Sequence, residues 1–294
     1  MIKPKQKNEQ VIKDINSFSS ETTFKVWWLG QSGFLLKYRN ETLLFDPYLS
    51  DSLSVKYQNT DKPHVRMSEL VVSPSLLENI DVVTSSHNHT DHLDAETLHS
   101  IFENNKNAKF IIPEANRIFI VDRLKCESDF PQGLDENKSI KIGYFEIIGL
   151  PAAHNIIDRD EKGQCKFMSY IVKFGDFVVY HSGDTLWYEG LEKTLISYNL
   201  DLAFLPINGN KPERKVAGNL SFEEAAELGK IADIKCVIPH HYHLFEFNTE
   251  DPGNFKIACE KIGTPHKILE LGEGFEYKKN KIVIQSPLSC GEGI

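Results

Sequence analysis

Three histidines and an aspartate fall within six residues at His87-Asn88-His89-Thr90-Asp91-His92. In an extended segment, residues two apart point the same way, so His87 and His89 can grip one cation. Asp91 and His92 come where the chain is set to turn into a helix, and they can face a second cation. Imidazole and carboxylate donors suit zinc or manganese first, with iron or nickel as alternatives. A solvated loop with accidental histidines is the weaker reading of so dense a string.

One motif supplies too few donors. A two-metal site needs roughly three or four protein ligands per metal and usually a bridging carboxylate. Further donors stand at later points: His154 in Ala152-Ala153-His154-Asn155, His181 and Asp184 in His181-Ser182-Gly183-Asp184-Thr185, and the cluster His240-His241-Tyr242-His243. Each follows a segment that reads as a strand, and strand ends are a favoured place for a site in a mixed sheet.

The elements that must carry these residues are dense in strand signals. Lys25–Leu29 and Phe34–Tyr38 flank Gly30-Gln31-Ser32-Gly33 and read as a hairpin. Thr42–Phe45 ends at Asp46-Pro47. Residues 51–75 read as a long loop of the kind that covers a site. Asp81–Thr84 leads into the histidine motif, and Asp94–Phe102 then reads as a helix. Strands are expected at 109–112, 139–149, 167–174, 176–180, 201–205, 235–238, 266–271 and 281–285. Helices are expected at 114–124, 186–197 and 252–262, with another opened by Ser221 and its capping partner Glu224. Residues 1–22 read as a polar N-terminal arm and 23–294 as a single α/β (α+β) domain of two packed sheets with helices outside, since no linker divides it.

Composition narrows the classes. The chain has 294 residues, 40% hydrophobic and 26% charged, which is enough for a sizeable core and ordinary for a globular protein. A formal net charge of −9 argues against a nucleic-acid partner. No stretch approaches the ~20 apolar residues of a membrane span, and Met1–Asp14 lacks the apolar run of a secretory leader. Cys126, Cys165, Cys236, Cys259 and Cys290 are scattered and read as thiols of a reducing compartment, so a cytoplasmic location is expected.

The order of motifs adds a resemblance. HxHxDH, a later single His, a strand followed by Gly183-Asp184-Thr185, and a late Ile238-Pro239-His240 segment resemble the metallo-β-lactamase fold superfamily. Trp27-Trp28-Leu29-Gly30 with Gly33, Tyr180-His181-Ser182-Gly183-Asp184, and Val237-Ile238-Pro239-His240-His241 are similar to its L-ascorbate-6-phosphate lactonase-like branch. The match runs over roughly residues 24 to 285. The resemblance implies a four-layer αββα sandwich with metals at one edge. It implies His87, His89 and His154 at a first metal, Asp91, His92 and His241 at a second, Asp184 bridging, and Asp46 orienting a ligand from behind. His240 is the runner-up to His241. His154 follows the general superfamily pattern, whereas some lactonase-like members carry a carboxylate near this point.

The expected chemistry is hydrolysis by a metal-bridging hydroxide, with Asp91 and Asp184 as catalytic groups, on a small, phosphorylated or unphosphorylated lactone or ester. No G-x-S-x-G elbow offers a rival nucleophile. The alternatives are a phosphodiesterase or phospholipase-like hydrolase at the same site and, from another class, a non-catalytic metal-binding regulator. RNA-processing relatives carry an inserted domain for which this chain has no room, and di-iron oxygen-reducing relatives have Glu where it has His89. Relatives of the lactonase kind also imply a homo-oligomer.

Other residues are weighed individually. In the loop Asn208–Asn219, Lys211, Arg214 and Lys215 could hold a phosphate, with a solvated loop equally weighted. Trp187 and Tyr188, just past Asp184, could touch substrate. His181 reads as a hydrogen-bonded structural residue, Trp27 and Trp28 as core, and His64, His99 and His266 as surface residues.

Overall fold

The computed structural model describes residues 1–210 and 218–279. Its elements in chain order are α1 (Glu9–Ser17), β1 (Phe24–Gly30), β2 (Gly33–Tyr38), β3 (Glu41–Phe45), α2 (Ser52–Tyr57), β4 (Val82–Thr84), α3 (Ala95–Asn104), β5 (Lys109–Pro113), α4 (Arg117–Leu124), β6 (Pro131–Leu134), β7 (Ser139–Ile142), β8 (Phe145–Pro151), β9 (Met168–Phe174), β10 (Phe177–His181), α5 (Leu191–Tyr198), β11 (Leu202–Pro206), α6 (Phe222–Ile231), β12 (Val237–His240), α7 (Pro252–Ile262) and β13 (Gly274–Tyr277).

The strands form two sheets, ordered β13-β1-β2-β3-β4-β5-β6 and β12-β11-β10-β9-β8-β7. Each sheet is antiparallel at one end and parallel at the other: β3-β4-β5-β6 in the first, β10-β11-β12 in the second. Near-continuous burial of β1, β3, β8 and β11 matches strands covered on both faces. Phe102 on α3 packs its ring 5.2 Å from Phe110 of β5, while α6 lies over β11 and β12 with α5 and α7 against it. The result is the four-layer αββα sandwich.

Why these segments fold so is visible locally. Ser221 accepts from the Glu224 amide and Glu224 returns a bond to the Ser221 amide, which is the capping box expected at α6. Asp94 caps α3 by accepting from the Thr97 amide. α7 falls where expected, with Pro252 in its first turn and Gly263 beyond its end.

Several boundaries differ from the sequence expectation. The run 139–149 is a hairpin, β7 and β8, because Gly143 turns the chain at φ +54°. The loop 51–75 contains α2 and a single 3-10 turn at Pro74–Leu76. The helix expected at 114–124 starts as a 3-10 turn, Glu114–Asn116, before α4, and the one expected at 186–197 begins only at Leu191, after Gly190 at φ +89°. No strand lies at 266–271; β13 pairs with β1 at the sheet edge instead. β6 escaped notice because Pro131-Gln132-Gly133-Leu134 has no alternation and starts on a proline. The strand expected at 281–285 lies outside the described residues.

Residues 1–22 are not detached: Val11 and Ile15 of α1 lie in the main core, and Trp27 donates to Asp14 at 2.8 Å. Trp27 and Trp28 are fully buried, as expected of core. Among the described residues no helix is long and apolar enough to cross a membrane.

Where the sheets meet beneath the candidate site, aromatic rings interlock. Phe34 of β2 stacks on Phe204 of β11 at 3.9 Å, and Phe45 of β3 stacks on the His181 ring at 4.7 Å. Truncating Phe204→Ala opens a cavity in this contact and should cost ~3–5 kcal/mol. Urea unfolding should show a lower midpoint at unchanged m-value. A loss under ~1 kcal/mol would mean that this ring does not pin the sheets.

Candidate metal centre

The candidate donors leave strand ends on one edge of the sandwich. Asp46 follows β3, the His87–His92 motif follows β4, His154 follows β8, Asp184 follows β10 and His241 follows β12. Strand ends converge there because both sheets run their parallel portions toward the same edge.

Asp184, 4% exposed, is the common member. Its Oδ1 lies 2.8 Å from His241 Nε2 and 3.2 Å from His92 Nε2. Its Oδ2 lies 4.0 Å from His87 Nε2 and 4.0 Å from His154 Nδ1. Asp91 Oδ2 stands 3.7 Å from His92 Nε2 and 3.9 Å from His241 Nε2. Three donor trios with ion-holding spacing result: His87, His92 and Asp184; His89, His154 and Asp184; Asp91, His92 and His241. His87 Nε2 and His154 Nδ1 are buried without any hydrogen-bond partner. Orphaned buried nitrogens are costly, and a cation between them and Asp184 would satisfy both. The donor set of imidazoles and carboxylates fits a divalent metal.

The residues behind the donors set their tautomers. Asp46 accepts from the Ser86 amide at 3.0 Å, from the Thr84 hydroxyl at 3.2 Å, from the Ser86 hydroxyl, and from His92 Nδ1 at 2.7 Å. A carboxylate can only accept here, so His92 carries its proton on Nδ1 and turns Nε2 toward Asp184 and Asp91. Since the Ser86 hydroxyl hydrogen goes to Asp46, its oxygen accepts from His87 Nδ1 at 3.0 Å, which bares the His87 Nε2 lone pair. Gln31, in the β1–β2 turn, donates to Asp91 at 2.8 Å and lies 3.0 Å from His241 Nδ1. Arg123 donates to the Asn88 and Leu93 carbonyls at 2.8 and 3.1 Å and braces the motif's loop. Two glycines hold space: a Cβ on Gly183 would meet Ser86 at 2.7 Å, and one on Gly218 would meet His154 Nδ1 at 1.9 Å. Both have positive φ.

Charge follows from this packing. Burial holds His87 well below the usual histidine range. Burial opposes charge on His92 as well, yet Asp184 and Asp91 hold it well above that range. Burial would raise Asp184, but the neighbouring His241 and His92 keep it well below the carboxylate range.

Among the sequence candidates, the structure brings together His87, His89, Asp91, His92, His154, Asp184 and His241, with Asp46 behind them. His240 is turned away: its two ring nitrogens meet the Ser32 and Ser182 hydroxyls at 3.1 and 3.2 Å. His241 instead adopts φ +64° and swings into the cluster. His181 donates to the Ser32 carbonyl at 2.9 Å and accepts from the Gly183 amide at 3.2 Å, a structural bridge between the β1–β2 turn and the Asp184 turn.

Tyr188 does not reach the cleft, because its hydroxyl is committed to the Pro151 carbonyl at 2.9 Å, and Trp187 donates to Glu192 at 2.9 Å. Lys211, Arg214 and Lys215 lie outside the described residues. His64 is corrected from surface residue to half-buried cleft wall, stacked on Tyr57 at 4.3 Å. His266 is half-buried and bonded to the Thr264 carbonyl, whereas His99 is exposed.

Sequence reasoning missed Gln31, Ser86, Arg123, Phe167 and Gly218. Gln31 read only as a turn residue. Ser86 had the one available signal, a hydroxyl beside the motif. Phe167, with its ring 5.0 and 5.2 Å from those of His87 and His154, had none.

A cleft of about 360 Å³ opens over the cluster. His89, Asp91, His154, Asp184 and His241 form its floor, and Lys56, Tyr57, Lys62, His64, Phe245 and Phe247 its outer wall. Its size and its few convergent polar groups suit a small molecule.

Comparison with known proteins agrees with this geometry. A family model described as the beta-lactamase superfamily domain matches residues 25–241. A metal-dependent hydrolase of the UPF0173 group from Methanosarcina mazei is 26% identical over 259 residues, covering 86% of this chain and 98% of that protein. A probable L-ascorbate-6-phosphate lactonase, UlaG, from Shigella dysenteriae is 24% identical over 293 residues, covering 88% and 82%. Among solved structures, the metallo hydrolase Igni18 from Ignicoccus hospitalis superposes with a TM-score of 0.65 at 22% identity, covering 88% of this chain and all of that one, a likeness of fold. With its HxHxDH motif and αββα fold, the chain therefore belongs to the β-lactamase superfamily and is a metal-dependent hydrolase of the metallo-β-lactamase fold.

Proposed function

We propose that this chain is a two-metal hydrolase that opens a lactone or cleaves an ester of a small molecule. The observation that carries this reading is the division of Asp184. One carboxylate oxygen faces His92 and His241, with Asp91 beside them, and the other faces His87 and His154, with His89 beside them. A carboxylate aimed at two separate donor groups is what a bridging ligand requires. In this reading His87, His89 and His154 hold one cation, Asp91, His92 and His241 the other, and Asp184 both.

When bound, such cations polarise the scissile carbonyl and make hydroxide available near neutral pH. The chain's own residues do the rest. Asp46 and Ser86 engage the Nδ1 atoms of His92 and His87, so that Nε2 is the nitrogen each ring presents to the cluster. Gln31 ties Asp91 to His241. Asp91, open to the cleft, is placed to take the proton that the attacking water loses and to return it to the leaving oxygen. The cytoplasm remains the proposed location, and the described cysteines, all free thiols, fit a reducing compartment.

Metal content by mass spectrometry, on protein purified without chelator, should give close to two ions per chain and clearly fewer for His89→Ala. Metal-free protein that also refuses reconstitution would overturn the ligand set. With metal loaded, lactones should turn over faster than bis-p-nitrophenyl phosphate; the reverse order would favour a phosphodiesterase, and silence on both a metal-binding regulator. Asp46→Asn conserves volume but presents an amide in place of a pure acceptor to His92. Competition against a chelator should show metal affinity falling ~10–100-fold, and unchanged affinity would remove Asp46 from its orienting role.

A further inference from the structure

His240 lies among the donors without being one of them. Its ring is fully buried, and both of its nitrogens meet hydroxyls: Nδ1 stands 3.1 Å from Ser32 Oγ and Nε2 3.2 Å from Ser182 Oγ. The neighbours fix where the protons sit. The Ser182 hydroxyl donates to the Gly183 carbonyl at 2.7 Å, so its single hydrogen is used and its oxygen accepts from His240 Nε2. No carboxylate of the described residues bonds either nitrogen, and a ring buried this completely stays neutral. Nδ1 is therefore an acceptor for the Ser32 hydroxyl.

The hydrogen bonds thus run one way, from Ser32 through His240 and Ser182 to the Gly183 carbonyl. A second path joins the same two turns: the Gly183 amide donates to His181 Nδ1 at 3.2 Å, and His181 Nε2 donates to the Ser32 carbonyl at 2.9 Å. The two imidazoles lie nearly parallel, 8° apart, with centroids separated by 5.5 Å. Ser32 and Gly183 are tied together twice. Each anchor of this network borders the donor cluster. Gln31, which bonds Asp91, precedes Ser32; Asp184 follows Gly183; His241 follows His240 and sets its amide on the Gln31 carbonyl at 3.3 Å. None of these bonds involves His87, His89 or His154.

Resting on the two-metal reading above, we propose that His240 is a positioning residue for the second donor group: through Ser32 and Ser182 it fixes the turn that carries Gln31, the turn that carries Asp184 and the backbone bend that presents His241. It touches neither substrate nor cation. Its loss leaves His87, His89 and His154 in place and loosens Asp184 and His241, so the cost falls chiefly on the ion held by Asp91, His92 and His241.

The test uses the full chain. Zinc uptake is followed by chelator competition in wild type, H240F, H240Q and S182A, with urea unfolding of each. Phenylalanine keeps a flat ring but bonds neither hydroxyl, whereas glutamine restores a donor. Wild type should take up two ions in two resolved steps. H240F should weaken the second step ~10–100-fold and leave the first nearly unchanged. S182A should shift the second step the same way by less, and H240Q should recover most of the loss. F255A, a truncation of a fully buried ring in α7, is the control for stability alone: it should lower the urea midpoint and leave both steps as in wild type. Equal weakening of both steps in H240F, or of neither, overturns the assignment, and S182A decides alone if H240F does not fold. If wild type itself takes up one ion or none, that failure falls on the two-metal reading. Amide hydrogen exchange of the metal-free protein then decides the positioning role: the Gly183 and His241 amides should exchange about tenfold faster in H240F and recover in H240Q, and equal protection removes it.

Discussion

Keeping Asp184 ionised inside the protein is the constraint on which the centre depends. A carboxylate taken out of water loses several kcal/mol of solvation unless charge or hydrogen bonds replace it. At 4% exposure Asp184 has little water left, and its surroundings answer with imidazoles from three strand ends. Asp46, fully buried, is answered differently, by four accepted hydrogen bonds. That difference divides their roles. Asp46 is satisfied by the protein itself, so it can orient His92. Asp184 faces nitrogens that are left unpaired without a cation, so it is satisfied fully only when one is present.

Holding so many donors in one place bends the backbone away from its comfortable regions. Gln31, Asp46 and His241 have φ of +51°, +39° and +64°, a left-handed conformation that costs a non-glycine residue on the order of 1 kcal/mol. Each is compensated nearby. The Gln31 carbonyl accepts from Trp28 Nε1 at 3.0 Å and from the His241 amide at 3.3 Å, so two of the bent residues lock each other. Trp28 in turn packs on Tyr242 at 4.2 Å, whose hydroxyl is anchored on the Leu269 carbonyl. Strain at the donors is thus balanced by the core beneath them, which is why the aromatic contact between the sheets matters to the site as well as to stability.

What the sequence disclosed follows from the range of each signal. The His87–His92 string was legible because its spacing is a local matter of strand and turn geometry. Asp184 and His154 became legible through motif order, and the αββα fold through the same resemblance. The choice between His240 and His241 stayed open because it depends on one backbone angle, and nothing in three neighbouring histidines encodes which one bends. Gln31 meets Asp91 and His241 only after β1, β4 and β12 have assembled, so its reading as a turn residue was right but incomplete. Gly218 touches His154 across 64 positions of chain, and no local pattern carries such a contact. Tyr188 erred the other way: proximity to Asp184 in sequence suggested the cleft, while its hydroxyl found a carbonyl in the core.

The outer wall obeys a separate logic. Tyr48, Leu53, Leu244 and Phe245 form a small apolar cluster of their own, with Tyr57 and Phe247 packed on it, apart from the core that unites the two sheets. A cluster of this size stabilises its own loops but contributes little to the sandwich, so the wall is held by fewer buried apolar contacts than the floor. The donors are fixed by strands and the main core; the outer wall of the cleft is fixed by two loops and a handful of rings. Substitutions in those loops can therefore alter what the cleft accepts while Asp184 and its imidazoles stay in place, which separates the hydrolytic floor from substrate choice within one chain.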